Sequence, residues 1–276
     1  MAEHRTRGRE HIMSQSYPTS LGTSTEDEIS LMGHSVPDDL MGQVGFAELA
    51  FWMTAGRRPD PGQLRTFEAV LVALADHGFT PTAIAARLTY LSAPESIQGA
   101  IASGLLGGGS RFLGVTEDTG QFLHQVLTEH TGREPSSEAD FEELARTAIT
   151  EARAAKRLVP GLGHPVHKKG DPRTPRLIAI AEDSGTRGAH LRLFEAMGRV
   201  SQEVLGKKLP LNGAGVCGAA LADLGLPVDF LRGFALLART AGLLGQIAEE
   251  RRQPVAQKIY MHVDRNAEYI PLSEEA

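Results

Sequence analysis

The sequence predicts an all-α protein, and two observations carry that expectation. Apolar residues recur at helical spacing from about residue 46 onward, with no strand series and no repeating βα unit. The stretches between breaks also carry helix punctuation: Thr or Ser ahead, Pro at the first position, Gly after the last turn. About ten helices result, without internal repeats or coiled-coil heptads.

Residues 1–20 are polar, and residues 1–24 are expected to be a disordered lead-in, with no apolar core of a signal peptide. Ile29–Gly33 is short and apolar, fitting a strand, a small hairpin or a leading loop; Pro37-Asp38-Asp39 suits a helix or turn start. Phe46–Ala55 reads as a helix stopped by Gly56. Pro61–His77 follows, with Leu64, Phe67, Val70, Leu71 and Leu74 on one face and Gly78 as its expected left-handed cap. Thr80 and Pro81 start a helix to about Tyr90. Ser92–Leu106 reads as a small-residue helix broken by Gly107-Gly108-Gly109. A further helix lies within Arg111–His130, starting near Glu117. Ser137 with Asp140 forms a weak capping box for a helix reaching Lys156. Thr174–Glu182, Ala189–Leu205, Leu211–Leu224 and Asp229–Glu250 complete the helices, and Gln253–Ala276 shows little periodicity.

The 276 residues suit one large or two closely packed domains. A net charge of −6 implies no nucleic-acid-sized basic surface while leaving room for local basic patches, and no run of eighteen apolar residues suggests a membrane span. The single cysteine, Cys217, excludes an intrachain disulfide, which fits a reducing, cytoplasmic setting; its Gly/Ala surroundings suggest a buried, inert thiol. With no CxxC and no zinc-spaced cluster, no metal is expected.

Chemistry concentrates in Val159–Arg173, VPGLGHPVHKKGDPR. Its glycines and prolines forbid a helix interior, and it holds His164, His167, Lys168, Lys169, Asp171 and Arg173. Composition leaves two readings open, a solvated basic loop or a site. Asp76-His77-Gly78 is either a helix end with an imidazole near the dipole or part of that site. Arg239 sits in the apolar stretch ALLARTAGLLGQ, where a charge is costly unless paired; it is a buried ion pair, a snorkelling arginine or a carboxylate anchor.

Taken in order, ADHGFTPTAIAAR (75–87), the Gly-rich loop before Phe112, GLGHPVHKKGDPR (161–173), KKLPLNGAG (207–215) and ARTAGLLGQIAE (238–249) resemble the citrate synthase superfamily. The chain looks closer to its short citryl-CoA lyase branch and to the citrate synthase-like module of ATP-citrate lyase. The resemblance implies a large helical domain (25–112 and 217–276), a small one (113–216), a cleft between them and a homodimer. It implies cleavage or formation of the bond between acetyl-CoA and oxaloacetate, with citryl-CoA cleavage favoured. The CoA thioester is then substrate, and no separate cofactor is expected.

By the same resemblance, His77 holds oxaloacetate and His164 contacts the oxygen that becomes the tertiary hydroxyl of citryl-CoA, so these two are the catalytic candidates. Arg173 and Arg239 bind substrate carboxylates. Gly161, Leu162, Gly163, Lys207 and Lys208 fall where CoA approaches. Arg251, Arg252 and Arg265 are the basic residues available to a neighbouring subunit. Two positions depart from the family pattern. Phe112 stands where citrate synthases carry an enol-stabilising histidine; the lyase branch also has Phe at that place, which favours lyase over synthase. Ala214 stands where the family has an aspartate acting as acid/base, leaving Asp171, His167 or a water to take over. The alternative is an impaired protein that binds CoA or a tricarboxylate, or one acting on a related 2-hydroxyacyl-CoA.

Overall fold

The computed structural model describes residues 16–130, 135–163 and 170–271. Two compact units result, residues 1–59 and 60–276. In the first, β1 (Gly22–Ser24), β2 (Ile29–Leu31) and β3 (His34–Ser35) pair antiparallel in that order. Of the readings open for Ile29–Gly33, the hairpin holds. Met32 and Gly33 both take positive φ (52° and 79°), the two-residue turn that matches strand twist. Gly22–Ser24, inside the stretch expected as lead-in, is β1. Ser35 caps a single π-helical turn at Val36–Leu40, followed by α1 (Phe46–Ala55), which Gly56 ends in the left-handed region.

The second unit is helical: α2 (Pro61–Ala75), α3 (Pro81–Ser92), α4 (Ile97–Leu106), α5 (Val115–Glu129), α6 (Glu138–Ala154), α7 (Arg173–Asp183), α8 (Ala189–Leu205), α9 (Gly213–Asp223), α10 (Leu231–Arg252) and α11 (Ala256–Arg265). Local chemistry sets most starts. Asp60 and Gln63 form a capping box on α2, with Pro61 in the first turn. Thr80 accepts from Ala83 N–H to open α3, and Ser137 with Asp140 boxes α6. Helix α9 is buried along nearly its whole length (Gly213, Gly215–Ala222), which is why it is built of small residues. It packs on α5 and α8. Gly218 admits the Thr116 carbonyl where any side chain would collide with it. Phe67, Val70, Phe194, Met197, Leu221 and Phe234 fill the surrounding core.

Several expectations change. Helix α2 stops at Ala75; its cap, Asp76, is extended, and Gly78 takes its positive φ two residues later. Ser92–Leu106 is not one helix, because Ser96 caps a fresh start at Ile97. Helix α5 begins two residues before Glu117. The tail contains α11, which lacks a local start signal. Its first amides, Val255 N–H and Ala256 N–H, are instead accepted by the Glu250 carboxylate at the end of α10.

Candidate active site

A cavity of ≈ 370 Å³ collects residues from the α2–α3 turn, the Gly107–Gly114 loop, α7, α9 and α10. Leu74, Phe79, Pro81, Phe112, Leu113, Val115 and Ala214 make much of its wall apolar, and His77, Arg111, Thr116, Arg173, Asn212 and Arg239 supply polar groups. Gly242 brings α10 onto the turn that carries His77. Any side chain there would enter the Ala75 carbonyl oxygen, so α10 crosses the end of α2 at backbone distance.

The two arginines differ. The Arg173 guanidinium is held on three sides: Nε and Nη2 donate to the Asp171 carboxylate at 3.0 and 2.7 Å, and Nη1 donates to the Ala73 carbonyl at 3.0 Å. It lies against Gly213, where no Cβ would fit. Asp171, itself 2% exposed, also accepts from the Arg173 and Gly213 amides. Burial works against its charge, but Arg173 and these amides hold its carboxyl well below the usual range, and Asp171 in turn raises Arg173. Arg239 is 4% exposed, and its nearest acid, Asp76, lies 3.5 Å from Nη1. Burial lowers its pKa against the pull of Asp76, and the charge of Arg173 adds to the lowering. Among the described residues four buried side-chain polar atoms lack a hydrogen bond: Arg239 Nε and Nη1, Thr116 Oγ1 and Arg232 Nε. Three of the four belong to residues of this cavity wall.

A second cavity, ≈ 700 Å³, shares Val115 and Asn212 with the first. Gly161, Leu162 and Gly163 form one side, and Arg153, Lys156, Arg157 and Lys207 give it a basic rim. Asn212 ties the two together. Its Oδ1 accepts from Gly215 N–H, capping α9, while its Nδ2 donates to the Gly163 carbonyl. The Asn212 N–H donates to Gly161, whose φ of +82° and contact with Phe194 leave room only for glycine.

Residues 16–260 match the family profile described as citrate synthase, C-terminal domain. The chain belongs to the citrate synthase family. Among curated relatives, 2-methylcitrate synthase 1 of Corynebacterium glutamicum is 29% identical over 199 residues, 68% of this chain and 46% of that protein. Citrate synthase of Synechocystis sp. is 25% identical over 248 residues, 84% of this chain and 57% of that one. The chain thus spans about half the length of these relatives. Among solved structures, citryl-CoA lyase from Hydrogenobacter thermophilus matches with a TM-score of 0.80 at 28% identity, covering 95% of this chain and 97% of that one. ATP citrate lyase from Methanothrix soehngenii shares the fold, with a TM-score of 0.75 at 20% identity over 98% of this chain and 44% of that one.

Of the residues that the citrate synthase resemblance nominates, His77, Arg173 and Arg239 meet in the first cavity together with Phe112 and Ala214. Gly161, Leu162, Gly163 and Lys207 meet in the second. Lys208 lines neither; it faces a separate hollow with Glu195, Arg199 and Gln202. His164, His167, Lys168 and Lys169 lie outside the described residues. Asp171, one of the stand-ins offered for the missing aspartate, is buried and accepts from the Arg173 guanidinium and from the Arg173 and Gly213 amides. Arg251, Arg252 and Arg265 are exposed. Cys217 is fully buried, and burial pushes its thiol up to about 12, which fits the inert reading. Sequence reasoning missed Thr116, Arg111 and the basic rim of Arg153, Lys156 and Arg157. The rim had a visible signal: three cations within five residues at the end of α6, just before the Gly161 loop.

Proposed function

We propose that this chain makes or breaks the carbon–carbon bond between the acetyl group of a CoA thioester and oxaloacetate, with citryl-CoA cleavage as its chemistry. The observation that carries this reading is Arg239, a buried cation with two unpaired donors in a partly apolar cavity beside Arg173 and His77. Buried donors without acceptors are rare, and a substrate carboxylate supplies what they lack. The 28% identity to citryl-CoA lyase over nearly the full length of both chains supports the same class.

In this reading Arg239 and Arg173 orient the carboxylates, with Asp171 keeping the Arg173 fork in plane. His77 faces the oxaloacetate half. His164, assigned through the family pattern, takes the proton of the tertiary hydroxyl. The C–O bond becomes the carbonyl of oxaloacetate, and the bonding pair of the breaking C–C bond moves to the acetyl carbon as an enolate. A proton then reaches that carbon to give acetyl-CoA. Phe112 and Ala214 offer no donor there, which leaves this last step to His167 or to water. The basic rim of the second cavity suits the CoA phosphates, and Val115 and Asn212 form the wall between nucleotide and acyl ends. Within residues 60–276, the cavity draws walls from both segments of the proposed division (25–112 with 217–276, and 113–216), so closure of one on the other would seal it. A homodimer is part of the same proposal.

A second reading, a protein that binds these ligands without turning them over, is favoured by Ala214 alone. Calorimetric titration with oxaloacetate tests the common ground. Wild type binds and Arg239→Gln loses at least tenfold in affinity. Equal binding by both proteins removes Arg239 as the anchor.

A further inference from the structure

Helix α10 carries Arg239, Gln246 and Glu250 on one buried face, at intervals of seven and four residues. Gln246 and Glu250 meet Arg87 of α3, whose side chain is wholly buried. Arg87 Nε donates to Gln246 Oε1 at 2.7 Å, Nη1 donates to Glu250 Oε2 at 2.9 Å, and Nη2 donates to Glu249. Gln246 passes the chain on: its Nε2 donates to Asp76 Oδ1 at 3.0 Å. That oxygen lies 3.5 Å from Arg239 Nη1, while Asp76 Oδ2 accepts from Gly78 N–H at 2.8 Å. Asp76 therefore faces the candidate anchor on one side and braces the His77 turn on the other.

We propose that Gln246 is a positioning residue that sets where Asp76 stands relative to Arg239, and so readies Arg239 for a substrate carboxylate. The inference rests on reading Arg239 as that anchor. The distances give the reason. At 3.5 Å Asp76 is too far to take a hydrogen bond from Arg239, yet near enough for its charge to offset the cost of burying a guanidinium. A small approach would consume the donor that substrate needs. A swing into solvent, open to a side chain that is 41% exposed, would strand a buried cation. Gln246 is 8% exposed and is itself fixed by Arg87, so it prevents both movements.

Gln246→Glu separates this role from a structural one. The new side chain still accepts from Arg87 Nε, so the buried arginine stays satisfied, but the donor to Asp76 is gone and like charges face each other. The groups facing the new carboxyl are Arg87 from α3, Asp76 from the α2–α3 turn, and Arg239, Glu249 and Glu250 on α10. The expected result at pH 8 is a melting temperature near wild type, oxaloacetate affinity lower by about tenfold, the order of one charge-assisted hydrogen bond, and CoA affinity within twofold. Toward pH 5 the oxaloacetate deficit should shrink, because a proton shared by the two carboxyls restores the donor. Wild-type affinity at both pH values would overturn the inference, as would an equal, pH-independent loss for both ligands. A wild-type protein that binds no oxaloacetate fails the underlying reading and takes the inference with it, a result distinct from failure of the variant alone.

Discussion

Arg239 and Arg173 present the same chemical group in opposite states. Arg173 has spent three of its five donors on Asp171 and Ala73, whereas Arg239 holds two nitrogens without acceptors. Substitution should separate them. Arg239→Gln is expected to raise the KM for the carboxylate substrate by about ten- to a hundredfold with little change in unfolding free energy, read by steady-state kinetics beside urea titration. Asp171→Asn should do the reverse first, costing about 3–5 kcal/mol because it strands Arg173. The pH dependence carries a sign. The folded-state pKa of Asp171 lies below its ordinary 3.8, so its stabilisation is complete above the ordinary value and is lost as pH falls through the depressed one. Urea midpoints of wild type should therefore fall on acidification more steeply than those of Asp171→Asn.

Among the elements, helix starts were the most legible part of the fold, because Asp60/Gln63, Thr80/Pro81 and Ser137/Asp140 announce them within four residues. The element missed, α11, is started by Glu250 from the preceding helix, across a turn that no periodicity spans. The end of α2 was misplaced for a related reason: Asp76 leaves the helix to meet Gln246, 170 residues away in sequence. Of the candidate site, the motif residues His77, Arg173 and Arg239 could be named in advance. That Asp171 belongs to Arg173, and that Gln246 reaches Asp76, depended on pairings only the fold creates. Two substitutions probe the elements. Gly242→Ala should force α10 away from Ala75, costing about 1–3 kcal/mol and weakening oxaloacetate binding together. Asn212→Ala should cost about 1–2 kcal/mol through the lost cap, and should weaken CoA binding by loosening Gly163.

For the whole molecule, a net charge of −6 conceals a local cationic rim of Arg153, Lys156, Arg157 and Lys207. An acidic protein that takes a polyanionic ligand must concentrate its cations, and affinity at such a rim falls with salt. CoA affinity should therefore weaken several-fold between 50 mM and 500 mM salt, about in proportion to the cations removed in Lys156→Ala and Arg157→Ala, as read by calorimetry. No helix of the described residues is long and apolar enough to cross a membrane. In this account the two cavities cleave the carbon–carbon bond of citryl-CoA although Ala214 stands where the family has its acid/base. The most direct measurement incubates the purified protein with citryl-CoA and follows oxaloacetate release by coupled reduction, beside the His164→Ala variant. Turnover above buffer that the variant loses is the expected result. Absence of turnover, with oxaloacetate and CoA still bound, would contradict the claim and leave a binding protein on this fold.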